Sequence, residues 1–288
     1  MDLAVVVVVQ ILYAVASLAL ISIGLAIIFG MMGVINFAHG EFLMLGGYAF
    51  IMSVAAGVNL LIAMLVVAPA AVGVIGIVVE RLIIRHLYGR IIETVLATWG
   101  LSLFLIGLAA TVLGYHQKGV APPLGNIDIG AYREGAYTFF VIGMTAAVLA
   151  LVYAGLKYTR FGLIARGTMQ NASMAASVGA DVNRIYAVTF GIGAALSGLA
   201  GAILAPIAGV LPDIGITYVV KAFITVIGGG AVALAGTGAA ASLFGTVYQA
   251  VTFASRPVVG EVALLVVAIV LLRLLPNGIT GRYFRRSL

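Results

Sequence analysis

Polar side chains and glycines interrupt the apolar sequence of this protein in one stretch, Phe29-Gly30-Met31-Met32-Gly33-Val34-Ile35-Asn36-Phe37-Ala38-His39-Gly40-Glu41-Phe42-Leu43-Met44-Leu45-Gly46-Gly47-Tyr48. It holds an Asn, a His and a Glu within six positions, together with five glycines. A charged group in hydrocarbon costs roughly 3 kcal/mol, so such groups face partners or water inside a bundle. Glycines permit a broken helix or a close approach of two helices. The stretch predicts a lining for a path through a membrane, or a hinge beside one.

Four residues of this stretch are candidates for the path: Asn36, His39, Gly40 and Glu41. Asn36 and His39 are three positions apart, a spacing that places them on one helical face with Gly40, whereas Glu41 points elsewhere. Two roles remain open for His39 and Glu41, which either line the path or support the structure.

The composition excludes a soluble globular domain. The chain has 288 residues, of which 64% are hydrophobic and 8% charged, whereas a soluble domain carries about 25% charged residues. Its mean hydropathy is +1.24. The absence of cysteine excludes disulfides, thiol catalysis and cysteine metal sites. The formal charge of +6 does not indicate nucleic-acid binding, because the basic residues lie in short segments between apolar runs. The chain is predicted to be a polytopic membrane protein.

Apolar runs of about 20 residues are long enough to cross a bilayer. The predicted fold is all-α, a single transmembrane domain over 1–288 with eight or nine spans and pseudo-symmetric halves. The runs are 3–30, 37–57, 60–80, 94–114, 136–156, 187–208, 218–254 and 258–275. The run 218–254 is too long for one crossing, and glycines interrupt it at 228–230 and 236–238. It predicts two spans, or one span with a broken or re-entrant piece.

Basic residues indicate the orientation, because they are enriched in cytoplasmic loops. Eleven fall on one side if the spans alternate: Arg81, Arg85, Arg90, Lys157, Arg160, Arg166, Arg184, Arg273, Arg282, Arg285 and Arg286. The C-terminus is therefore predicted to be cytoplasmic. The segment 115–135 is predicted to face outward, either as a plain connection or as a surface for an extracytoplasmic partner. Lys221 and Glu261 lie near outer span ends, where snorkelling to the interface is the favoured interpretation.

The cytoplasmic segment 157–186 predicts a short helix over Met169–Val178, capped by Gly167 or Thr168 at its start and by Gly179 at its end. Asp181 is predicted to cap the next span. The helix presents small residues and two methionines, and such a face docks into a groove of another protein or packs on the protein's own spans. The candidate docking residues are Met169, Ala172, Met174, Ala176 and Gly179.

The glycine breaks fall one in each half of the chain, at 30–47 and 228–238. Paired broken segments are typical of pseudo-symmetric transporters with the solute path at the junction. Gly229 and Thr237 are therefore added to the candidate path residues. By contrast, the small-residue spacing from Gly193 through Ser197 to Gly201 predicts close helix packing rather than contact with solute.

Several activities lack their motifs. The chain contains no Gly-Lys dipeptide, so it has no Walker loop for ATP. Its three histidines, His39, His86 and His116, lie in separate regions, and no clustered metal ligands are apparent. Neither catalytic residues nor a cofactor of this chain are expected. A proton-coupled carrier stays open, because His39 and Glu41 are able to relay protons.

Motifs in both halves resemble those of the permeases of branched-chain amino acid ABC importers. In the first half they are Asn36-Phe37-Ala38-His39-Gly40-Glu41 and Leu45-Gly46-Gly47-Tyr48, and in the second the segment from Arg166 to Gly201. The resemblance runs from about Gly24 to Gly278. Other segments look closer to the urea and short-chain amide branch: Glu93–Gly100, Thr168–Asn171, Pro212–Gly215 and Leu234–Thr237.

This resemblance implies a permease subunit of the bacterial inner membrane that pairs with a second, homologous permease. Two cytoplasmic ATPases, which carry the ATP and magnesium, would dock on the coupling helix, and an extracytoplasmic binding protein would deliver the solute. The implied solute is urea, a short-chain amide or a branched-chain amino acid. A passive urea or amide channel and a proton-coupled carrier are the alternatives.

Overall fold

A computed structural model describes residues 2–230 and 233–284. Its helices are α1 (Asp2–Met32), α2 (His39–Ala55), α3 (Leu60–Ile62), α4 (Ala68–Leu82), α5 (Ile91–Leu113), α6 (Ala136–Tyr158), α7 (Arg160–Gln170), α8 (Ala172–Ser177), α9 (Val182–Ala208), α10 (Ile214–Gly229), α11 (Ala233–Ala254), α12 (Pro257–Leu274) and α13 (Gly278–Phe284). A π-helical turn, Ala63–Val67, joins α3 to α4, and a 3-10 turn, Ile84–Leu87, follows α4. An antiparallel hairpin pairs β1 (Asn126–Ile129) with β2 (Tyr132–Gly135). The predicted all-α class is confirmed, apart from this small hairpin.

Six helical segments in the described ranges are long and apolar enough to cross a membrane: Asp2–Met32, Leu60–Leu82, Ile91–Leu113, Ala136–Tyr158, Val182–Ala208 and Pro257–Gly281. The pair α10 and α11, bent by 115°, adds a seventh if it is one broken span. The prediction of eight or nine spans is therefore not confirmed. The run 37–57 accounts for one difference, because α2 has only 17 residues, fewer than the roughly 20 that cross a bilayer.

The long apolar run 218–254 breaks as predicted, but at one of its two glycine clusters. α10 ends at Gly229, and Gly230 takes a φ of +85°, a conformation that favours glycine. The cluster at 236–238 lies inside α11, so the second predicted interruption is wrong. Gly236 instead allows α11 to pack closely against the end of α10, since a Cβ on it would lie 2.8 Å from the Gly229 carbonyl carbon.

The chain divides into two compact units. The first comprises Met1–Ser22, Ala121–Ala150 and Lys221–Leu288, and the second comprises Ile23–Val120 and Leu151–Val220. The single permease domain over 1–288 and the pseudo-symmetric halves remain predictions.

The second unit is organised around α9, which packs against α2 and α4. Its apolar core includes Phe42 of α2 and Phe190 of α9, whose rings meet edge to face at 6.0 Å. Glycines set the helix spacing: a Cβ at Gly201 would overlap the Leu43 backbone, and one at Gly76 would overlap Ala194. The small-residue spacing of α9 is thus a packing face, as predicted.

The first unit joins the start of α1 to α11 and the hairpin through polar side chains. Gln10 donates to Glu134 Oε1 at 3.0 Å and accepts from Gln249 Nε2 at 2.9 Å. Below this network, a Cβ at Gly245 would lie 2.7 Å from the Val15 backbone. α11 also packs against α12. Hydrogen bonding and close packing therefore hold the same pair of helices, α1 and α11, at two levels.

Candidate functional site

The path candidates of the first half lie at the turn between α1 and α2. Asn36 is fully buried, and its Oδ1 accepts from the Ala38 N–H at 3.1 Å while its carbonyl accepts from the His39 N–H at 3.3 Å. An Asx turn of this kind competes with regular helix and marks a helix start. α1 ends at Met32 and α2 begins at His39. Asn36 therefore lies outside the helix, and the predicted helical face shared by Asn36 and His39 is wrong.

His39, the first residue of α2, is fully buried against α9. Its Nδ1 lies 3.2 Å from the Ser197 hydroxyl, which donates to the Gly193 carbonyl at 2.8 Å. A hydroxyl has one proton to donate, so this arrangement favours the tautomer in which His39 Nδ1 carries the proton. Ser197, predicted to be a packing residue only, also orients the imidazole.

Glu41 is also fully buried, and its neighbour is α5 rather than the α9 that His39 contacts, in line with the prediction that Glu41 points away from His39. The Ser102 hydroxyl of α5 lies beside its carboxylate, yet within the described ranges neither carboxylate oxygen makes a hydrogen bond of normal geometry. The Asn36 Nδ2 is likewise without a hydrogen bond there. A buried polar atom without a hydrogen bond calls for an explanation, and contact with water, an ion or a solute is one.

Sequence reasoning missed the contribution of α5. Thr94, Thr98 and Ser102 are buried and recur every four residues on one face of this helix. Thr98 Oγ1 accepts from the Phe37 N–H at 3.1 Å, which ties α5 to the turn before α2. The i, i+4, i+8 spacing of hydroxyls in an apolar helix was the signal that could have found them.

We call the buried polar side chains in this part of the second unit the polar cluster: Asn36, His39, Glu41, Thr98, Ser102 and Ser197. His39 contacts Ser197 of α9, Glu41 lies beside Ser102 of α5, and Thr98 accepts from the turn before α2. The polar cluster presents an amide, a carboxylate, an imidazole and three hydroxyls within an apolar surround. Such a set offers hydrogen-bond donors and acceptors to a small polar solute, and His39 is its one basic side chain.

The remaining path candidates are glycines at close approaches and one threonine. A Cβ at Gly40 would overlap the backbone of Gly215 at the start of α10. In the first unit, Gly229 packs on Gly236, and its carbonyl accepts from Thr280 Oγ1 at 2.7 Å. Thr237 is buried. Gly40 and Gly229 thus fit tight helix crossings, and their place on a path stays a prediction.

The predicted coupling helix is two helices rather than one. α7 runs to Gln170, and α8 begins at Ala172 with Asn171 as its cap, because Asn171 Oδ1 accepts from the Met174 N–H at 2.9 Å. The predicted cap at Gly167 or Thr168 is wrong, since both lie within α7. The local reason is the extended Asn171, at φ −156°, which ends one helix and starts the next.

The end of α8 follows the prediction. Gly179 has a φ of +93°, its N–H donates to the Ala176 carbonyl, and the Ala180 N–H donates to the Ala175 carbonyl. This is the Schellman arrangement that favours glycine. Asp181 then caps α9, with Oδ1 accepting from the Arg184 N–H at 3.0 Å.

The bend between α7 and α8 forms a groove of about 480 Å³. Its lining residues are Ile164, Gly167, Gln170, Asn171, Met174, Ala175, Val178, Gly179 and Ala180. Met174 is 65% exposed and Val178 is 81% exposed. Met169 falls on α7 rather than on α8 with Ala172 and Ala176, so these three do not form the predicted single helical face. The groove nevertheless presents apolar side chains to its surroundings.

The loop after α5 is attached to the loop after α9. Lys118 and Val210 exchange backbone hydrogen bonds at 3.0 and 2.8 Å, and Gln117 Nε2 donates to the Ala208 carbonyl at 2.9 Å. A hydrogen bond to Asp213 raises the pKa of Tyr115 above its usual value. These contacts join the predicted outer segment 115–135 to the loop after α9 within the second unit.

Two ion pairs involve residues near span ends. Lys221 lies 2.8 Å from Glu261 and 5.6 Å from the Tyr248 ring centroid, so the two charges form a pair. Their snorkelling to the interface stays a prediction. In the second unit, Tyr88 donates to the fully buried Glu80 at 2.6 Å, and Arg85 Nε lies 3.8 Å from the same oxygen. Burial, then the hydrogen bond to Glu80, raises the pKa of Tyr88.

Among the described residues, no group of three or more His, Cys, Asp or Glu side chains is placed to hold a metal. The long apolar helices and the buried polar cluster define a multi-span membrane protein with a polar site between its helices.

Comparison with known proteins places the chain in a family. The profile of the family described as "Branched-chain amino acid transport system / permease component" matches residues 7–275, so the chain belongs to that family. Members are transport components, which makes this chain a transport subunit rather than an enzyme.

Curated relatives match along nearly the whole chain. The high-affinity branched-chain amino acid transport system permease protein LivH of Salmonella typhimurium is 30% identical, over 93% of this chain and 92% of the relative. The permease protein BraD of Pseudomonas aeruginosa is 32% identical with the same coverage. A probable LivH of Methanocaldococcus jannaschii is 28% identical, over 92% of this chain and 88% of the relative. No solved structure matches.

Proposed function

We propose that this chain is the permease subunit of an ATP-driven importer that moves a small neutral or zwitterionic solute inward by alternating access. Its partners are a second homologous permease, two cytoplasmic ATPases that carry ATP and magnesium, and an extracytoplasmic binding protein. The assembly lies in the cytoplasmic membrane, with the C-terminus of this chain on the cytoplasmic side. The observation that carries the proposal is the exposed apolar groove between α7 and α8.

This groove supports ATPase docking for a physical reason. A contiguous patch of exposed apolar side chains is typical of a surface that a partner covers. Met174 is a flexible side chain of the kind that adapts to such a partner. The glycine cap and the Asn171 cap hold α8 at a defined angle to α7. A push on α8 from an ATPase would therefore pass to α9, against which α7 and α8 both pack.

The polar cluster is the proposed solute site. Movement of α9 would shift Ser197 relative to His39, and α9 contacts α2 through Gly201 and Leu43 as well. The close approach of Gly40 to Gly215 extends the same site to α10. In the first unit, Gly229 and Thr237 are the corresponding candidates at the second helix break.

The favoured solute is urea or a short-chain amide. Within the described ranges, Glu41 supplies carboxylate oxygens and Asn36 supplies an amide N–H that make no hydrogen bond inside the protein. An amide or urea offers matching N–H donors and a carbonyl acceptor. The carboxylate of an amino acid instead favours a fixed cation, and no Lys or Arg belongs to the polar cluster. The second candidate solute is a branched-chain amino acid, which the names of the relatives favour.

Uptake into proteoliposomes tests both the energy source and the solute. The vesicles contain this chain with its co-purifying subunits and binding protein, and uptake of labelled urea and labelled leucine is compared with and without ATP at the cytoplasmic face. We expect ATP-dependent uptake of urea. ATP-dependent leucine uptake would assign the amino acid branch, and uptake indifferent to ATP would refute the ABC importer and favour a passive channel.

Gly179→Val tests the docking role of α8. A β-branched residue at a φ of +93° costs about 1–3 kcal/mol of strain, so we expect the helix end to rearrange and ATP hydrolysis to lose its coupling to transport. Gly57→Val is the matched control, because Gly57 has a φ of +87° at the end of α2, outside the 157–186 segment. Normal coupling in Gly179→Val would contradict the docking assignment.

His39→Ala distinguishes the importer from a proton-coupled carrier. In the importer we expect reduced ATP-dependent uptake through loss of the polar cluster, with no response to an imposed pH gradient. Ser197→Ala retains the imidazole and removes its partner, so it should give an intermediate loss. Uptake driven by a pH gradient in the wild type, and lost in His39→Ala, would favour the carrier.

A further inference from the structure

A basic pocket lies where the C-terminal end of α4 meets the N-terminal end of α9. The two helices run antiparallel, since Gly73 faces Ala195 while Gly76 faces Ala194 and Phe190. The pocket has a volume of about 600 Å³, and its lining residues are Arg81, Arg85, Asp181, Asn183 and Arg184. It is separate from the polar cluster and from the α7–α8 groove, and the proposed transport does not use it.

The charges in this pocket are not balanced. Asp181 is its one acidic lining residue, and one of its oxygens already accepts from the Arg184 N–H. Glu80 offsets part of the charge of Arg85 at 3.8 Å, but it also accepts the Tyr88 hydroxyl. Arg85 Nε makes no hydrogen bond within the described part of the chain. The N-terminus of the 27-residue helix α9 adds positive potential at the same place. The pocket therefore favours an anion.

The surface beside the pocket is aliphatic. Val74, Val78 and Leu82 of α4 are 61%, 47% and 70% exposed, and their spacing of four places them along one helical face. The face ends next to Arg81, at the end of a span. An exposed aliphatic strip within a span faces acyl chains, and arginines at its end face headgroups.

We propose that the pocket of Arg81, Arg85 and Arg184 binds the phosphate headgroup of an anionic phospholipid whose acyl chain lies along Val74, Val78 and Leu82. Guanidinium groups hold phosphate oxygens with paired hydrogen bonds. The bound lipid joins the ends of α4 and α9, the two helices with the most extensive interface in the second unit.

Native mass spectrometry of the purified permease with its co-purifying subunits tests this. Phosphatidylglycerol and phosphatidylcholine with the same acyl chains are titrated in parallel. The Arg81→Gln/Arg184→Gln variant should bind phosphatidylglycerol about twentyfold more weakly, with phosphatidylcholine unchanged. Arg90→Gln/Arg160→Gln is the matched control. It removes one exposed arginine from the segment 81–90 and one from the segment 157–186, as the test variant does, but neither residue lines the pocket. It should bind phosphatidylglycerol like the wild type.

Three outcomes would overturn the proposal. Equal weakening in both variants would show a response to net charge alone. Displacement of phosphatidylglycerol by millimolar inorganic phosphate would assign the pocket to a soluble anion. Loss of ATPase co-purification in the Arg81→Gln/Arg184→Gln variant, with lipid binding intact, would assign the arginines to a protein contact.

A measurement on the wild type keeps the test independent of how the variants fold. Lipid that binds only the folded state raises the unfolding midpoint, by an amount that grows with the logarithm of the lipid concentration once this exceeds the dissociation constant. The midpoint should rise when phosphatidylglycerol replaces part of the phosphatidylcholine in nanodiscs. No rise, at a lipid ratio where the mass spectra report binding, would contradict a site that joins α4 to α9.

Discussion

Adding one methyl group at Gly201 perturbs the contact between α2 and α9 that positions the polar cluster. A Cβ there would lie 2.7 Å from the carbonyl carbon and 3.0 Å from the Cα of Leu43. Non-bonded carbons pack at about 3.5–4.0 Å, so the helices must separate by roughly 1 Å. Gly46 and Gly198 form a second tight contact between the same helices and would be loosened too.

The cost follows from these distances. Overpacking costs about 1–3 kcal/mol, and the upper end applies because the obstructing atoms are backbone and have no other rotamer. Alanine regains about 1 kcal/mol over glycine as a helix former. The net loss of stability for Gly201→Ala is therefore about 2 kcal/mol, or a midpoint lowered by roughly 4–8 °C for a chain of this size.

Thermal unfolding of the purified chain in detergent, followed by circular dichroism, measures this shift. Gly107→Ala in α5 is the control, because within the described residues nothing lies within 4 Å of a Cβ placed there. The control should unfold at or above the wild-type temperature. Equal midpoints for the two variants would refute the claim that Gly201 sets the distance between α2 and α9.

Two further tests address a hydrogen bond and an ion pair near the span ends. Tyr88→Phe should destabilise the chain by about 1–2 kcal/mol, because it leaves a Glu80 oxygen buried with one hydrogen bond fewer. The pKa of Tyr88 is raised in the folded state, so the stability that its hydroxyl contributes is fully present below its unfolded pKa of about 10. This stability is lost only as the pH rises through the folded pKa. In thermal melts, the difference in stability between wild type and Tyr88→Phe should therefore be constant from pH 7 to about pH 9. A difference that disappears across that range would contradict the assignment. Lys221→Met alone should lower the thermal unfolding midpoint in nanodiscs more than the double variant Lys221→Met/Glu261→Gln does. The reason is that the single change leaves the charge of Glu261 unpaired. A lower midpoint in the double variant would show that Lys221 and Glu261 do not act as a pair.

Local signals predicted the helix ends of the coupling segment only in part. The Gly179 and Asp181 caps were correct because each depends on one residue and its neighbours in the chain. The predicted start of α8 was wrong because Asn171 rather than Thr168 caps it, and both residue types have side-chain oxygens able to cap. Thr168 instead lies buried in α7, donating to the Ile164 carbonyl at 2.9 Å.

The candidate site was predicted in part as well. Asn36, His39 and Glu41 were recognised because polar residues are rare in apolar sequence. Thr98 and Ser102 were missed because hydroxyls are inexpensive in a membrane helix, where they bond to their own backbone: Thr98 Oγ1 lies 2.8 Å from the Thr94 carbonyl. Their role appears only when another segment packs beside them.

The sequence by itself determined the membrane class, most of the span positions and the two interrupted regions, because hydropathy and glycine act over short stretches of chain. Tertiary structure decided which polar groups meet. It paired His39 with Ser197, 158 positions away, buried Glu41 beside Ser102, and brought Arg81 and Arg184 to one pocket. Each of these contacts depends on the packing distance between helices that are far apart in sequence, and the pattern within one segment does not contain that distance.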